Sequence, residues 1–168
     1  MFVDRARVRA AGGSGGNGCC SFRREKFVPR GGPDGGDGGD GGSVYFVADP
    51  QKTSLLDVQF HATWKGNRGA HGQGSGKHGR NGEDIEVALP PGTVVHDFET
   101  GDPLCDLTEP GQRFLAAEGG KGGRGNARFA TSTNRTPRFA EKGEPGQDAE
   151  YWLELKTMAD VGLVGLPN

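Results

Sequence analysis

Cysteine is scarce in this 168-residue chain: Cys19, Cys20 and Cys105 are all there is. Adjacent cysteines pair poorly and a third is left over, so a disulfide framework of the secreted kind is excluded. The opening Met1-Phe2-Val3-Asp4-Arg5 lacks a basic-then-apolar leader, and a reduced, cytoplasmic protein is the expectation. Long apolar runs are missing too, so no segment approaches the roughly 20 residues that span a bilayer, and no membrane partner is expected. Leu, Ile, Val and Phe supply only 31 residues, and the net charge is −2. The first figure points towards disorder; the second removes the strong charge that disorder also needs.

What the chain has instead is glycine: 32 residues, with 10 prolines beside them. That content excludes ordinary helical globules and coiled coils. The glycines recur every third position in six stretches. Gly12-Gly15-Gly18 and Gly32-Gly35-Gly38-Gly41 come first, each shadowed by a second row. Gly66-Gly69-Gly72, Gly76-Gly79-Gly82, Gly119-Gly122-Gly125 and Gly143-Gly146 follow. Three is the period of the polyproline II helix, which makes no internal hydrogen bonds. Its N–H and C=O groups need outside partners, and several such segments can satisfy one another if no Cβ holds them apart. The expectation is a bundle of polyproline II rods. A flexible linker would not keep a period, and a calcium β-roll would need an apolar position in each turn that residues 31–42 do not have. Asp34, Asp37 and Asp40 read as solvated spacers on the outer edge of a rod.

Short strand-like runs lie between the rods. Phe2–Arg9, Ser43–Val47, Ile85–Leu89, Val94-Val95, Leu104–Leu107, Phe114-Leu115 and the alternating Tyr151, Leu153 and Leu155 are separated by Pro/Gly turns. They predict a small β-barrel or sandwich as the base from which the rods project. Gln51–Phe60 fits either a strand or one helical turn. Trp64 and Trp152 read as packing residues, and His71 and His78 as surface groups of the loops.

The near-zero net charge conceals segregation. Residues 19–33, 58–82 and 119–140 hold 13 of the 20 basic residues and a single acid, Glu25. All three touch the glycine stretches, so a basic tip on an acidic base is expected, the charge pattern of a soluble nucleic-acid binder. Arg outnumbers Lys nine to four there, favouring forked phosphate contacts. Phe22, Phe27, Phe129 and Phe139 lie among these charges, where they either anchor loops or stack on unpaired bases.

The stretch Cys20–Gly39, CSFRREKFVPRGGPDGGDGG, resembles the signature of the Obg (CgtA) family of bacterial GTPases. Asn134–Arg138, NRTPR, and Ala159–Asn168, ADVGLVGLPN, are similar to that family's next landmarks. The resemblance implies the Obg fold over residues 1–158: six polyproline II helices on a β base. Residues 159–168 are then the first strand and opening of a G domain. Gly165, Leu166, Pro167 and Asn168 resemble the start of a phosphate-binding loop whose later Gly, Lys and Ser/Thr are not in the sequence. The chain itself is therefore expected to take no cofactor, whereas the whole protein would use GTP, GDP and Mg²⁺. Further implications are docking on the large ribosomal subunit and its RNA, a role in late maturation of that subunit, and a link to ppGpp signalling. The RNA-contact role passes to Arg23, Arg24, Lys26, Arg30, Arg68, Lys77, Arg80, Arg128, Arg135 and Arg138. The alternative is a regulatory domain that binds stress-response proteins or its own G domain through the acidic base. A monomer is expected.

Overall fold

The structure, a computed structural model, describes residues 2–28 and 31–156. Eight strands, β1 (Arg5–Ala11), β2 (Val44–Ala48), β3 (Thr63–Lys65), β4 (Ile85–Leu89), β5 (Thr93–Asp97), β6 (Pro103–Leu107), β7 (Arg113–Ala117) and β8 (Asp148–Leu155), form the base with a one-turn helix α1 (Leu56–Phe60). They make two separate sheets, in orders β3-β1-β8-β5-β6 and β4-β2-β7, so the base is an open sandwich rather than a closed barrel. The first strand runs Arg5–Ala11, later at both ends than the expected Phe2–Arg9, over the residues that pair with β8. The undecided segment before Phe60 resolves into the helical turn.

The two sheets bury the alternate residues that their period-two patterns supply. Ala6, Val8, Tyr151 and Leu153 of the large sheet face Val44, Phe46, Val87 and Leu89 of the small one. Phe46 sits at the centre, edge-on to Tyr151 at 5.6 Å, and the Tyr151 hydroxyl donates to the Ala116 carbonyl at 2.6 Å. Leu55 and Val58 of the α1 segment close one side.

Six extended glycine rods continue these sheets. Rods 12–20, 66–73 and 141–147 prolong β1, β3 and β8. Rods 34–42, 77–84 and 118–125 prolong β2, β4 and β7. Two sheets thus become two rows of three rods, and the chain runs out and back three times from a common root. This accounts for the parallel pairs β1–β3 and β2–β4, whose crossovers each pass through a pair of rods, α1 and a strand of the other sheet, where most folds use a helix.

Where the strands end, the layers change their mode of contact. Sheets are kept about 10 Å apart by side chains; glycine removes the side chains, and the two rows close into direct hydrogen bonding. In rod 34–42 the N–H groups of Gly36, Gly39 and Gly42 donate to rod 66–73, and those of Gly38 and Gly41 to rod 118–125. The N–H groups of Asp37, Asp40 and Ser43 go to side chains of His78, Asn81 and Asp84. Three residues per turn gives each N–H row its own neighbour, and none of this central rod's donors is wasted. Both glycine rows are packed: a Cβ at Gly35 or Gly36, Gly38 or Gly39, Gly41 or Gly42 would collide with a backbone carbonyl, while Gly32 faces open space.

The carboxylates of Asp34, Asp37 and Asp40 are more than spacers: Asp34 and Asp37 are half-buried, Asp40 is exposed, and all three accept backbone hydrogen bonds. Asp37 accepts from Gly125 N–H at 2.8 Å, Asp40 from Gly122 N–H at 2.7 Å, and Asp34 from Ser75 N–H at 3.1 Å. A corner of the bundle leaves N–H groups without a rod beside them, and an acceptor every third residue supplies what the backbone cannot. His71 and His78 play the same part, their Nδ1 atoms accepting from the N–H of Asn17 and Asp37.

Candidate nucleic-acid interface

Because every rod leaves the base in the same sense, the three connections between rods meet at the far end. The first lies between residues 21 and 33, and its described residues pair as a hairpin: Phe22 bridges Pro33, Glu25 bridges Val28, and Arg23 N–H donates to Gly32 O at 3.0 Å. The second is the short turn at 74–76, with Ser75 at φ 59° and Gly76 at φ 67°. The third, 126–140, opens with a 3₁₀ turn, Asn126–Phe129.

Two buried or half-buried polar side chains lock these loops together. Asp34 accepts from the Ser21 hydroxyl and from Ser75 N–H, tying the hairpin to the second loop. Asn126 is fully buried. Its Oδ1 accepts from Gly35 N–H at 2.9 Å, and its Nδ2 donates to the carbonyls of Ser21 at 2.9 Å and Pro137 at 3.1 Å. This amide joins the hairpin to the third loop with one accepted and two donated bonds. The sequence reading missed Asn126; its only signal is an Asn where a packed glycine row ends.

The basic residues fall into three groups. Arg23, Arg24, Lys26, Lys77, Arg128, Arg135 and Arg138 all lie exposed at the tip. Arg23 pairs with Glu25 at 2.6 Å and Arg128 with Asp37 at 2.7 Å. Arg24, Lys26, Lys77, Arg135 and Arg138 make no ion pair among the described residues. Arg80 and Arg68 are exposed but not at the tip. Arg80 sits midway along its rod, opposite Ala70, and Arg68 near the root, three residues past β3. Arg30 and the Gly165–Asn168 segment lie outside the described residues.

The Arg128–Asp37 pair has a structural side. Burial pushes the Asp37 carboxyl upward, but the Gly125 N–H and the Arg128 guanidinium, with His78 adding to them, hold it below the ordinary aspartate value. Arg124 is tied to Glu141 by a forked pair, 2.7 Å at its shorter arm. That bond raises the guanidinium and lowers the carboxylate. Arg124 and Arg128 therefore brace the bundle, while the five unpaired cations face solvent.

At the opposite end the base is not simply acidic. On the outer face of the large sheet Arg5, Arg7 and Arg9 pair with Glu154, Glu150 and Asp148. Arg7 also lies 4.1 Å over the Phe98 ring, and Phe98 stacks on Trp152 at 5.6 Å. Trp152 is 43% exposed, so unlike the half-buried Trp64 it is a surface residue and not part of the core. An open groove of about 440 Å³ runs beside it, lined by Arg5, His96, Gly101, Trp152, Leu153 and Glu154. Among the described residues no helix is long and apolar enough to cross a membrane. No cluster of three or more His, Cys, Asp or Glu side chains among them could hold a metal ion.

Known proteins share this sequence closely. A model of the family GTP1/OBG matches residues 3–157. The chain is 60% identical over 167 residues to the GTPase Obg of Syntrophobacter fumaroxidans, covering 99% of this chain and 48% of that protein. It is 58% identical to the GTPase Obg of Heliobacterium modesticaldum, over 100% of this chain and 38% of the relative. For the GTPase Obg of Chlorobaculum tepidum the identity is 55%, over 99% of this chain and 50% of that protein. The chain thus spans half or less of the length of these relatives. Six glycine rods on an open β sandwich, with the family match running from the first strand to the last, place the chain in the GTP1/OBG family, as its glycine-rod Obg-fold domain.

Proposed function

We propose that this domain docks on RNA of the large ribosomal subunit, within a GTPase that acts late in the maturation of that subunit in the cytoplasm. The observation that supports this reading is the convergence of three loops at the end of a stiff bundle, carrying five exposed cations that make no ion pair among the described residues. A rod bundle braced along its whole length can enter a crowded RNA cleft without the ordering cost that a flexible loop incurs. Phosphates complete the pairing that the protein leaves open. GTP and Mg²⁺ chemistry, and the response to ppGpp, belong on this reading to the remainder of the whole protein. The described residues contain no phosphate-binding loop, and the domain alone is proposed neither to bind nor to hydrolyse GTP.

The test is binding to purified large ribosomal subunits across a salt series. If those five cations meet phosphates, log K against log salt falls with a slope of about −3.5 to −4.5. A slope near −1 contradicts docking through the tip. That result would favour a second reading, a regulatory protein contact through the outer face of the large sheet. The half-exposed Trp152 and the groove beside it are what support that alternative.

A further inference from the structure

The phenylalanines near the tip differ sharply in their surroundings. Phe129 and Phe139 pack on each other with ring centroids 4.8 Å apart, and Arg124 covers the Phe129 ring at 5.0 Å. Phe22 is half-buried in the hairpin ladder opposite Pro33. Among the described residues Phe27 has no such aromatic or ladder partner. It is 87% exposed, more than any other large apolar side chain described, and Val28 beside it is 40% exposed. It occupies the third position of the turn that Val28 N–H closes onto Glu25 O at 3.1 Å, the outermost point of the hairpin. The Lys26 ammonium lies 5.7 Å from its ring centroid, and Arg24 follows without an ion pair among the described residues.

We infer that Phe27 is the residue through which the hairpin grips RNA, by stacking its ring on an unpaired base while Lys26 and Arg24 meet the adjoining phosphates. The inference rests on the docking reading above and adds a residue and a binding mode to it. No described residue covers the ring at this apex, so its apolar face is open to a partner. The flanking cations specify a polyanion. Within a polyanionic nucleic acid the surface that matches a flat apolar ring is an unpaired base, and such stacking is tolerant of sequence.

The experiment compares F27A, F27L, F27W and R24A/K26A with the parent chain for binding to purified large ribosomal subunits across a salt series. Phe27 makes no core contact, so the melting curves of its variants should match the parent's. F27A and F27L should each lose tenfold or more in affinity with the salt slope unchanged, and F27W should retain the parent affinity. Full affinity in F27L overturns stacking, because leucine keeps the apolar bulk without the flat face. Full affinity in F27A overturns any role for the ring. Phe27-dependent binding to vesicles of phosphatidylcholine and phosphatidylserine, with subunit binding unaffected, overturns the RNA assignment in favour of a membrane. If the Phe27 variants bind normally while R24A/K26A does not, the inference fails and the docking reading stands. If all four bind normally, both fail.

Discussion

Two glycines six residues apart in one row should respond in opposite ways to the same methyl group. A Cβ at Gly38 would overlap the carbonyl of Gly16, more than an ångström inside the 3.4 Å at which ordinary contact begins. The obstacle is backbone, so relief requires rod 34–42 to move away from rod 12–20. Gly13 N–H to Gly42 O at 2.8 Å, Gly16 N–H to Gly39 O at 2.8 Å and Cys19 N–H to Gly36 O at 2.9 Å would all stretch past useful length. Each buried N–H left without a partner costs about 1–3 kcal/mol, so three cost about 3–9 kcal/mol. That is comparable with the whole stability of a domain, about 5–15 kcal/mol. Gly32 has no atom within 4 Å of its Cβ position, and its φ is not positive. Gly32→Ala should therefore be neutral or stabilising by about 0.4–1 kcal/mol, through the lost entropy of the unfolded chain. Urea unfolding followed by circular dichroism separates the two. Gly38→Ala should abolish or grossly weaken the cooperative transition, as should Gly35→Val. A Gly38→Ala transition superimposable on the parent's would refute the packing argument.

Asp37 gives the bundle an acid-sensitive joint. Its folded-state carboxyl lies below the ordinary value, so its stabilisation is present above about pH 4 and is lost as pH falls through the depressed folded value. Asp37→Asn should cost on the order of 1 kcal/mol at neutral pH, and its stability should fall less steeply than the parent's below pH 4; identical profiles would contradict this. Asn126→Ala removes one buried acceptor and two donations and should cost about 3 kcal/mol or more. Asn126→Asp keeps the acceptor for Gly35 yet loses both donations, and should be no better; urea midpoints of the two variants check this. On the base, removing Arg7 breaks only an exposed pair and a ring contact, and should cost no more than about 1 kcal/mol in the same assay.

The sequence carried the architecture because glycine at a fixed period is a local signal. Six periodic stretches became six rods, and the strand runs between them became the strands of the two sheets except β3 (Thr63–Lys65), which the sequence did not signal. What it withheld depends on partners far away along the chain. A period of three shows that one edge of a rod is packed, but not that Gly38 meets one neighbour and Gly39 another. Asp37 and Asp40 read as solvated because nothing nearby in sequence points to Gly125 or Gly122, more than 80 residues on. The same limit hid the role of Asn126 and left open that Trp152 packs on Phe98 at the surface of the large sheet. It gave no sign that Arg23 and Arg128 each have a carboxylate partner, and grouped Arg68 with the tip although it lies three residues past β3, near the root. Charge segregation by stretch was legible; which charges remain unpaired required the fold.

The claim that the tip is the docking end is tested most directly by two variants with the same change of charge. One replaces Arg24, Lys26 and Arg138 at the tip with Ala; the other replaces Arg5, Arg7 and Arg9 on the base. Both lower the net charge by three and leave the glycine rods untouched. Binding to purified large ribosomal subunits at one fixed low salt concentration should fall at least tenfold in the tip variant and stay within twofold of the parent in the base variant. Equal losses in the two would mean that only overall charge matters, and loss in the base variant alone would put the working surface on the sheet.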